Sequence, residues 1–517
     1  MLEDIRKNWK NAIWDYLLMI AIIIAVYFIV CTNLFHYCYK MNADIASEGV
    51  LARLIWESGE WMPKSWYAGS ELRLWQTPNL AALFYGLTHS MILAMGISCT
   101  IMTIGIALSA FFFISQLPFE RVHKLAFVLL CLIMPNHFVI LELVYLFASY
   151  YAIHVIIMFY TLGIYIKCMN GKHNTPLSLI AAVIIALMMG MLSVREILIL
   201  YAPLFMAEII RQLFLIYKGT WKDKNNLFIG GWCLSLVAAS FIGTCFPFSV
   251  SQGVSRNIRK GFTKLLKSVF PDVVKCMGFP DTNTLETVIF YIIIVLVILG
   301  LFLCIKRIIR KQDENPAVWA YLMLCFSPVL TMLAAAFTTM ESSERYYFVI
   351  IYALSFGFVY LIKEIKQISK IIQNVLYTLI LILFVIHIKS IYLPIMQSDE
   401  PYPNAQYEVC RYLENNEYKA AYADFENANT LTVLSDGAVR VAAIDSMEKM
   451  NVNKCLSSND WYVPNVPYES QTVYIITETE MEAFDKFYKQ HEEEFRLLIQ
   501  IDKYLLFVSD YNFTYID

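Results

Sequence analysis

Residues 44–78 read DIASEGVLARLIWESGEWMPKSWYAGSELRLWQTP and follow the first apolar run of the chain directly. They carry two carboxylates four residues apart, Asp44 and Glu48, and they are rich in tryptophan and tyrosine. This mixture is typical of a membrane–water boundary. On a helix the two carboxylates lie one turn apart on the same face. We therefore expect the stretch to form one side of an active site that faces out of the cell.

The composition indicates a polytopic membrane protein. Of the 517 residues, 58% are hydrophobic and only 16% are charged, which is unlike an ordinary soluble protein of this length. The net charge of -3 and the lack of a long basic run give no indication of a nucleic-acid partner. The 12 cysteines are scattered and form no Cys-x-x-Cys pair, so the sequence predicts neither a zinc site nor a redox centre.

Short basic segments alternate with the apolar runs and predict how the chain crosses the membrane. The run at residues 125–167 is divided near residues 137–145 and the run at residues 177–217 at residues 193–196, which gives eleven spans. The six segments on one side hold 18 lysines and arginines, so this side and the amino terminus are predicted to be cytoplasmic. Because the number of spans is odd, residues 398–517 are then extracytoplasmic.

The last 120 residues differ in pattern from the rest of the chain. Asp436-Gly437 lies between two alternating runs and predicts a β-hairpin. Residues 471–477 and 504–511 predict further strands, and residues 481–499 predict an amphipathic helix. The predicted fold is an all-α polytopic membrane bundle of about 11 transmembrane helices with an amphipathic first outer loop, at residues 1–397. A small α/β extracytoplasmic domain follows at residues 398–517.

In this topology the unusual polar residues of the membrane region collect on the outer face. Ionisable groups at membrane depth are costly and indicate function, although helix ends at the interface also tolerate charge. The candidate site residues are Asp44, Glu48, Glu142, His154, Arg195, Glu344 and Arg345.

Two short motifs carry a family resemblance. Asp44 is followed by Ser58-Gly59-Glu60-Trp61-Met62-Pro63 and then by Thr77-Pro78, and a late outer turn contains Glu344-Arg345-Tyr346. In the order and spacing of these elements, residues 1–397 resemble the type C membrane glycosyltransferases, which include protein O-mannosyltransferases and lipid A aminoarabinose transferases. The basic residue that members often carry just before the proline is replaced by Leu74-Trp75-Gln76-Thr77, and Glu142 is the best match to their second acidic position.

The resemblance implies transfer of a sugar from a polyprenyl-phosphate carrier to an extracytoplasmic acceptor, which is a cell-envelope glycan, a lipid or a protein. Such a reaction needs a base for the acceptor hydroxyl, and Asp44 is the candidate. Cations stabilise the departing phosphate, and Arg195 and Arg345 are the candidates. A single displacement inverts the anomeric carbon. No cofactor is predicted and no ligand set demands a metal, although the question of a divalent ion stays open.

Each of these residues also has a purely structural interpretation. Asp44 is equally compatible with a helix cap or a solvated loop acid. Arg195 and Arg345 each have a neighbouring acid, Glu196 or Glu344, with which a local ion pair would form.

A second outer segment, at residues 254–270, combines an apolar face with a basic stripe. The apolar face is predicted from Val254, Ile258, Phe262, Leu265 and Val269, and the stripe consists of Arg256, Lys260, Lys264 and Lys267. Such a helix lies in the headgroup plane of a bilayer. It is predicted either to hold the phosphate end of a carrier lipid or to be attracted to anionic lipids in general.

Two other classes of protein fit the same architecture. A transporter or flippase would show internal repeats and matching broken spans in two halves, and neither is found in the sequence. A non-catalytic envelope assembly protein would use its outer α/β domain for binding. The sequence leaves both alternatives open.

Overall fold

A computed structural model describes residues 2–69, 71–135, 137–171, 175–246, 258–278, 315–366, 369–398, 404–462 and 471–514, with most of 292–306. The helices before the last 120 residues are α1 (Leu2–Phe35), α2 (Ala43–Ser58), α3 (Thr77–Thr88), α4 (Met91–Ser115), α5 (Arg121–Ile133), α6 (Phe138–Val144), α7 (Ala152–Met169), α8 (Pro176–Leu192), α9 (Ala202–Lys218), α10 (Lys224–Thr244), α11 (Ile258–Lys264), α12 (Phe270–Cys276), α13 (Pro316–Phe337), α14 (Val349–Lys366), α15 (Lys370–His387) and α16 (Leu393–Met396). Short π-helical turns join α8 to α9, α11 to α12 and α15 to α16.

The predicted all-α polytopic membrane bundle is confirmed. Within the described residues, eight helices are long and apolar enough to cross a membrane, or nine if α5 and α6 count as one span. The remaining predicted spans are shorter or bent: α8 and Ile294–Leu303 are short apolar helices, and α5 and α6 meet at 110°. Pro135 lies in this bend, where it has no N–H to continue α5. Among the described residues, each of the eleven predicted spans therefore has a counterpart: eight long helices, one bent pair and two shorter apolar helices.

The first loop after α1 does contain the expected helix, α2, and this helix is packed inside the protein. Asn42 caps its amino end by accepting from Ile45 N at 2.9 Å, and Gly59 ends it with a φ of +67°. Ten of its sixteen residues are buried. A Cβ added to Gly49 would lie 3.4 Å from Val433 and 3.6 Å from Met91, so α2 is packed between the membrane helices and the last part of the chain.

The last part of the chain forms a mixed six-stranded sheet. Its strands and helices follow β1 (Trp66–Tyr67) of the first outer loop and are α17 (Asn404–Asn415), β2 (Ala420–Asp424), α18 (Phe425–Leu434), β3 (Arg440–Ser446), β4 (Asn451–Val452), β5 (Ser457–Ser458), β6 (Thr472–Thr477), α19 (Met481–Tyr488), β7 (Phe495–Ile501) and β8 (Tyr504–Ser509). The strand order is β4-β3-β2-β6-β8-β7, and β2 is parallel to both of its neighbours. Elements α17 to β8 are called the C-terminal α/β region below.

Two predictions for this region were wrong and two were right. The strands predicted at residues 471–477 and 504–511 are β6 and β8. The hairpin at Asp436-Gly437 does not form, because Asp424 caps residues 425–434 as helix α18 and β3 runs parallel to β2. The helix predicted over residues 481–499 ends at Tyr488, and the residues from Phe495 pair with β8 as a strand.

The Asp436-Gly437 turn instead joins the C-terminal α/β region to the membrane helices. Asp436 Oδ1 accepts from Met91 N at 2.7 Å, which satisfies a free N–H at the start of α4. Arg53 of α2 donates to the Asp436 carbonyl at 3.3 Å. Gly437 has a φ of +75°, and a Cβ there would overlap the Arg53 guanidinium. A second connection is the antiparallel pair of β1 and β5.

We expect Asp436→Ala to loosen this connection. The variant loses the acceptor at the start of α4 and places alanine at a φ of +48°, which together cost about 1–2 kcal/mol. Limited proteolysis of the C-terminal α/β region and thermal unfolding in detergent measure the change. Asp436→Asn is the matched control, since asparagine keeps an acceptor oxygen and tolerates positive φ. Equal behaviour of the two variants would contradict the capping role.

Candidate active site

A cavity of about 120 Å³ lies where α2, the loop before α3, the start of α7 and the turn before α14 meet the C-terminal α/β region. Three acids and two arginines line it, which gives a small space an unusually high density of charge. The lining residues are Asp44, Ser47, Glu48, Gly69, Glu71, Arg73, Tyr150, Tyr151, Arg345 and Leu456.

Asp44 and Arg345 face each other across this cavity. Asp44 lies in the first turn of α2, and Arg345 lies in the 3-10 turn Glu344–Tyr347. Arg345 Nη1 is 3.9 Å from Asp44 Oδ2, and the two side chains are 36% and 48% exposed. The two charges are therefore only weakly paired, and solvent reaches both of them. Each charge is accessible to a ligand in the cavity.

Glu48, one turn after Asp44, is buried against Arg73. Arg73 Nη2 lies 2.7 Å from Glu48 Oε1, and Arg73 Nε donates to the same carboxylate at 2.8 Å. The Arg73 guanidinium also lies over the Tyr150 ring, 4.7 Å from its centroid. Glu48 thus serves as the counter-ion that fixes Arg73, and only 3% of its side chain is exposed.

Glu71 holds Arg195 in the same way on the far side of the cavity. Arg195 Nη1 is 2.7 Å from Glu71 Oε1, and the guanidinium lies 4.0 Å from the centroid of the Tyr151 ring. Behind this pair, His154 Nδ1 is 2.5 Å from Glu196 Oε2, and both of these side chains are fully buried. Arg195 therefore contacts cavity-lining residues, whereas His154 supports the site from behind.

The Gly-x-Trp motif positions the loop that carries Glu71 and Arg73. Trp61 Nε1 donates to the Leu74 carbonyl at 2.5 Å, and its ring packs on Trp75 with centroids 5.5 Å apart. Asn79 of α3 donates to the carbonyls of both Trp61 and Arg73, at 3.3 and 3.0 Å. The motif thus has a structural role, which is to fold residues 59–76 back over α2.

The electrostatics of the two buried acids differ. Burial raises the pKa of Glu48, and the neighbouring Arg73 offsets only part of that effect. Burial also acts to raise the pKa of Glu71, but Arg195, His154 and Arg73 outweigh it and lower this pKa below its ordinary value. Glu71 is therefore the carboxylate held most firmly in its charged form.

Two other predicted site residues lie at the edge of the cavity or outside it. Glu142 of α6 is largely buried, and Asn42 Nδ2 lies 3.4 Å from both of its carboxylate oxygens, just before Asp44. Glu344 is absent from the cavity lining, and its carboxylate accepts from Ser343 Oγ at 3.5 Å. Its predicted contact with substrate has no support in the geometry.

The predicted basic helix is only partly as expected. Arg256 and Val254 lie outside the described residues. Lys264 Nζ donates to the carbonyls of Thr338 and Met340, so this ammonium anchors the segment to the end of α13. Lys260 and Lys267 are exposed, and the exposed apolar stripe consists of Phe262, Leu266 and Phe270, whereas Val269 is buried.

Sequence reasoning missed Glu71 and Arg73. The pattern Glu71-Leu72-Arg73 within an aromatic interfacial loop was the available signal, because opposite charges two residues apart are unusual there. The family resemblance places a basic residue directly before Pro78, where this chain has Leu74-Trp75-Gln76-Thr77. The structure shows that Arg73 reaches the cavity from slightly earlier in the loop.

A larger groove of about 740 Å³ lies on the opposite face of α2 and is separate from these residues. Val50, Arg53, Leu54 and Glu57 of α2 line it together with residues of the C-terminal α/β region. None of the predicted site residues borders it. Its size therefore does not make it the better candidate for catalysis.

Comparisons with known proteins bear on the fold. No protein-family model matches the sequence, and no curated protein matches it. The crystal structure of ArnT from Cupriavidus metallidurans in the apo state matches with a TM-score of 0.51 and 9% sequence identity, over 96% of this chain and 98% of that chain. The structure of ArnT from the same organism bound to undecaprenyl phosphate matches with a TM-score of 0.52 and 9% identity, over 95% and 97% of the two chains.

These two matches agree with the resemblance found in the sequence. The chain has the fold of these two ArnT structures over nearly its whole length. At 9% identity the likeness shows the fold alone.

Glu71→Gln is expected to destabilise the protein strongly. The change leaves Arg195 without its buried counter-ion, which costs about 3–5 kcal/mol, and thermal unfolding in detergent measures it. Glu57→Gln, which breaks the exposed pair with Arg53, is the matched control and should cost less than about 1 kcal/mol. Because its folded-state pKa is lowered, Glu71 stabilises the protein above its unfolded-state pKa and loses this effect as the pH falls. The stabilities of the wild-type protein and Glu71→Gln should therefore converge as the pH falls. A difference in stability that stayed constant with pH would contradict the pairing of Glu71 with Arg195.

Proposed function

We propose that this chain is a membrane glycosyltransferase that moves a sugar from a polyprenyl-phosphate carrier to an extracytoplasmic acceptor, with inversion. The observation that carries the proposal is the accessible Asp44–Arg345 pair, in which an acid and a cation from distant parts of the sequence share one cavity. The type C fold supports it, and so does the undecaprenyl phosphate bound to ArnT, which is a lipid phosphate of the class that the proposal requires.

Asp44 is the best-placed base among the acids that line the cavity. Glu48 and Glu71 are buried and neutralised by Arg73 and Arg195, so neither is available to a substrate. Asp44 has only the long contact with Arg345 and stays half-exposed. In the proposed step its carboxylate takes the proton of the acceptor hydroxyl as the acceptor oxygen bonds to the anomeric carbon.

Arg345 is the best-placed partner for the leaving phosphate. The bond from the anomeric carbon to the phosphate oxygen breaks in this step, and its electron pair leaves with the carrier. A guanidinium close to that oxygen stabilises the charge that develops. Arg73 and Arg195 are already paired with buried acids, so neither is as available to the phosphate as Arg345.

We also propose a membrane topology and a division of the chain into two domains. The amino terminus is placed in the cytoplasm, and the cavity opens at the outer leaflet, where a carrier lipid presents its phosphate. Residues 1–397 form the glycosyltransferase-like membrane domain, and residues 398–517 form the extracytoplasmic α/β domain. A single displacement needs one carboxylate base and no second acid as nucleophile. This requirement agrees with the ion pairs that Glu48 and Glu71 form with arginines, which leave Asp44 as the available carboxylate.

Asp44→Asn should abolish transfer while leaving the protein abundant in the membrane. Loss of a general base lowers the rate about 100-fold or more. The assay follows labelled sugar from undecaprenyl-phosphate-linked pentose and hexose donors into acceptors in isolated membranes. Asp445→Asn, at an exposed position of β3, is the matched control and should retain full activity. Normal transfer by Asp44→Asn would instead favour a transporter or an assembly protein.

Arg345→Ala should weaken binding of undecaprenyl phosphate to the purified protein. A hydrogen bond to a charged group contributes about 1.5–3 kcal/mol, which corresponds to a Kd roughly 10- to 100-fold higher. Arg345→Lys keeps the charge and should restore part of the affinity. Arg496→Ala, at an exposed position of β7, controls for general attraction between arginine and an anionic lipid. Equal losses in Arg345→Ala and Arg496→Ala would refute a specific phosphate site.

A further inference from the structure

The wall of the active-site cavity includes one side chain from the C-terminal α/β region. Leu456 lies between β4 and β5 and lines the same cavity as Asp44 and Arg345. Among the described residues of that lining it is the one aliphatic side chain, and the others are charged, aromatic, serine or glycine. We propose that Leu456 determines which sugar the site accepts by limiting the space for substituents on the ring. This inference rests on the proposed function.

Backbone hydrogen bonds place Leu456 in the wall. Leu456 N donates to the Tyr67 carbonyl at 3.0 Å, next to the β1–β5 pair. Asn429 of α18 donates to the Leu456 carbonyl at 3.1 Å. Both polar groups of this residue are thus tied, one to the first outer loop and one to the C-terminal α/β region. The side chain is consequently held in place as part of a rigid surface.

The backbone of Leu456 is held in an uncommon conformation. Its φ is +52°, in the left-handed region that non-glycine residues adopt only at a cost. Such a conformation persists where the surroundings impose it, and the two hydrogen bonds of Leu456 do so here. A glycine would adopt the same backbone freely, so the leucine side chain is not required by the backbone conformation.

Gly69 leaves room for the Leu456 side chain beside it. Gly69, in the loop before α3, has no side chain, and a Cβ added there would lie 3.4 Å from Leu456 Cδ2. The cavity of about 120 Å³ has ten lining residues among those described, so one leucine makes up a substantial part of its boundary. A change at Leu456 therefore alters the available space directly.

Leu456 is also close to the proposed reaction centre. The adjacent Cys455 thiol has a raised pKa, chiefly from burial and also from the Asp44 carboxylate, which places Asp44 within electrostatic reach of this segment. In the proposed arrangement Arg345 binds the phosphate. Leu456 offers an apolar surface against which the C–H face of a sugar packs. Phosphate binding and sugar selection are then performed by different residues of one cavity.

The test separates these two roles by ligand. Full-length protein in nanodiscs is titrated with undecaprenyl phosphate, with an undecaprenyl-phosphate-linked hexose and with the corresponding N-acetylhexosamine. Leu456→Trp should raise the Kd of the two linked sugars about tenfold or more and that of undecaprenyl phosphate less than about twofold. Leu456→Gly should shift the preference about fivefold or more towards the N-acetylhexosamine. Leu497→Trp, at a half-exposed leucine of β7, is the matched control and should change none of these values.

The outcomes distinguish this inference from the proposed function. Leu456→Gly relieves the positive φ, so misfolding does not explain an altered preference in that variant. Equal shifts for all three ligands, or an unchanged preference in Leu456→Gly, would overturn the role of Leu456 while the loss of activity in Asp44→Asn still upheld the proposed function. A wild-type protein that bound none of the three ligands would overturn both.

Discussion

Charge neutralisation by Glu48 and Glu71 is the constraint on which the candidate site depends. Taking an isolated guanidinium out of water is costly, so Arg73 and Arg195 are stable beside the membrane only because each has a carboxylate within 2.7 Å. The two pairs use up the charge of four residues and leave Asp44 and Arg345 as the loosely paired groups of the cavity. The buried pairs thereby define which residues remain available for chemistry.

Helix α2 connects the cavity to the C-terminal α/β region. One of its faces carries Asp44, Ser47 and Glu48 into the cavity, and the other carries Arg53 to the turn at Asp436. Since a buried helix moves as a unit, the position of Asp44 depends on contacts made more than two turns away. The C-terminal α/β region is accordingly part of the active-site architecture, and it contributes Leu456 to the cavity itself.

Much of the fold could be predicted because membrane spans are encoded locally, in length and apolarity. The spans at α1, α4 and α13 needed only that information, whereas the bend between α5 and α6 depends on Pro135 and on packing. In the C-terminal α/β region, strands β6 and β8 show their alternation directly. Residues 430–434 also alternate, but capping by Asp424 and the parallel pairing of β2 with β3 favour a helix over residues 425–434. Pairing of that kind is a long-range property that a local pattern does not contain.

For the site, sequence reasoning identified Asp44 and Arg345 from short motifs but could not pair the remaining charges. Arg195 had an acid beside it in the sequence, Glu196, yet its partner in the structure is Glu71, and Glu196 pairs with His154. Neighbouring residues at the start of a helix point in different directions, so adjacency in sequence is a poor guide to ion pairing. Arg73 was missed for the same reason, because its partner lies in α2, 25 positions earlier.

The contact between Asp436 and the start of α4 also has a consequence for biosynthesis. The two residues are 345 positions apart, so α4 is synthesised and inserted long before its capping carboxylate leaves the ribosome. Until then the Met91 amide has water or another temporary acceptor, and α2 has no surface on which its Arg53 face is buried. The contacts of α2 and α4 with the Asp436 turn therefore form only after residue 436 has been synthesised, and a nascent chain that stops before it lacks this support of the candidate site however well its spans have been inserted.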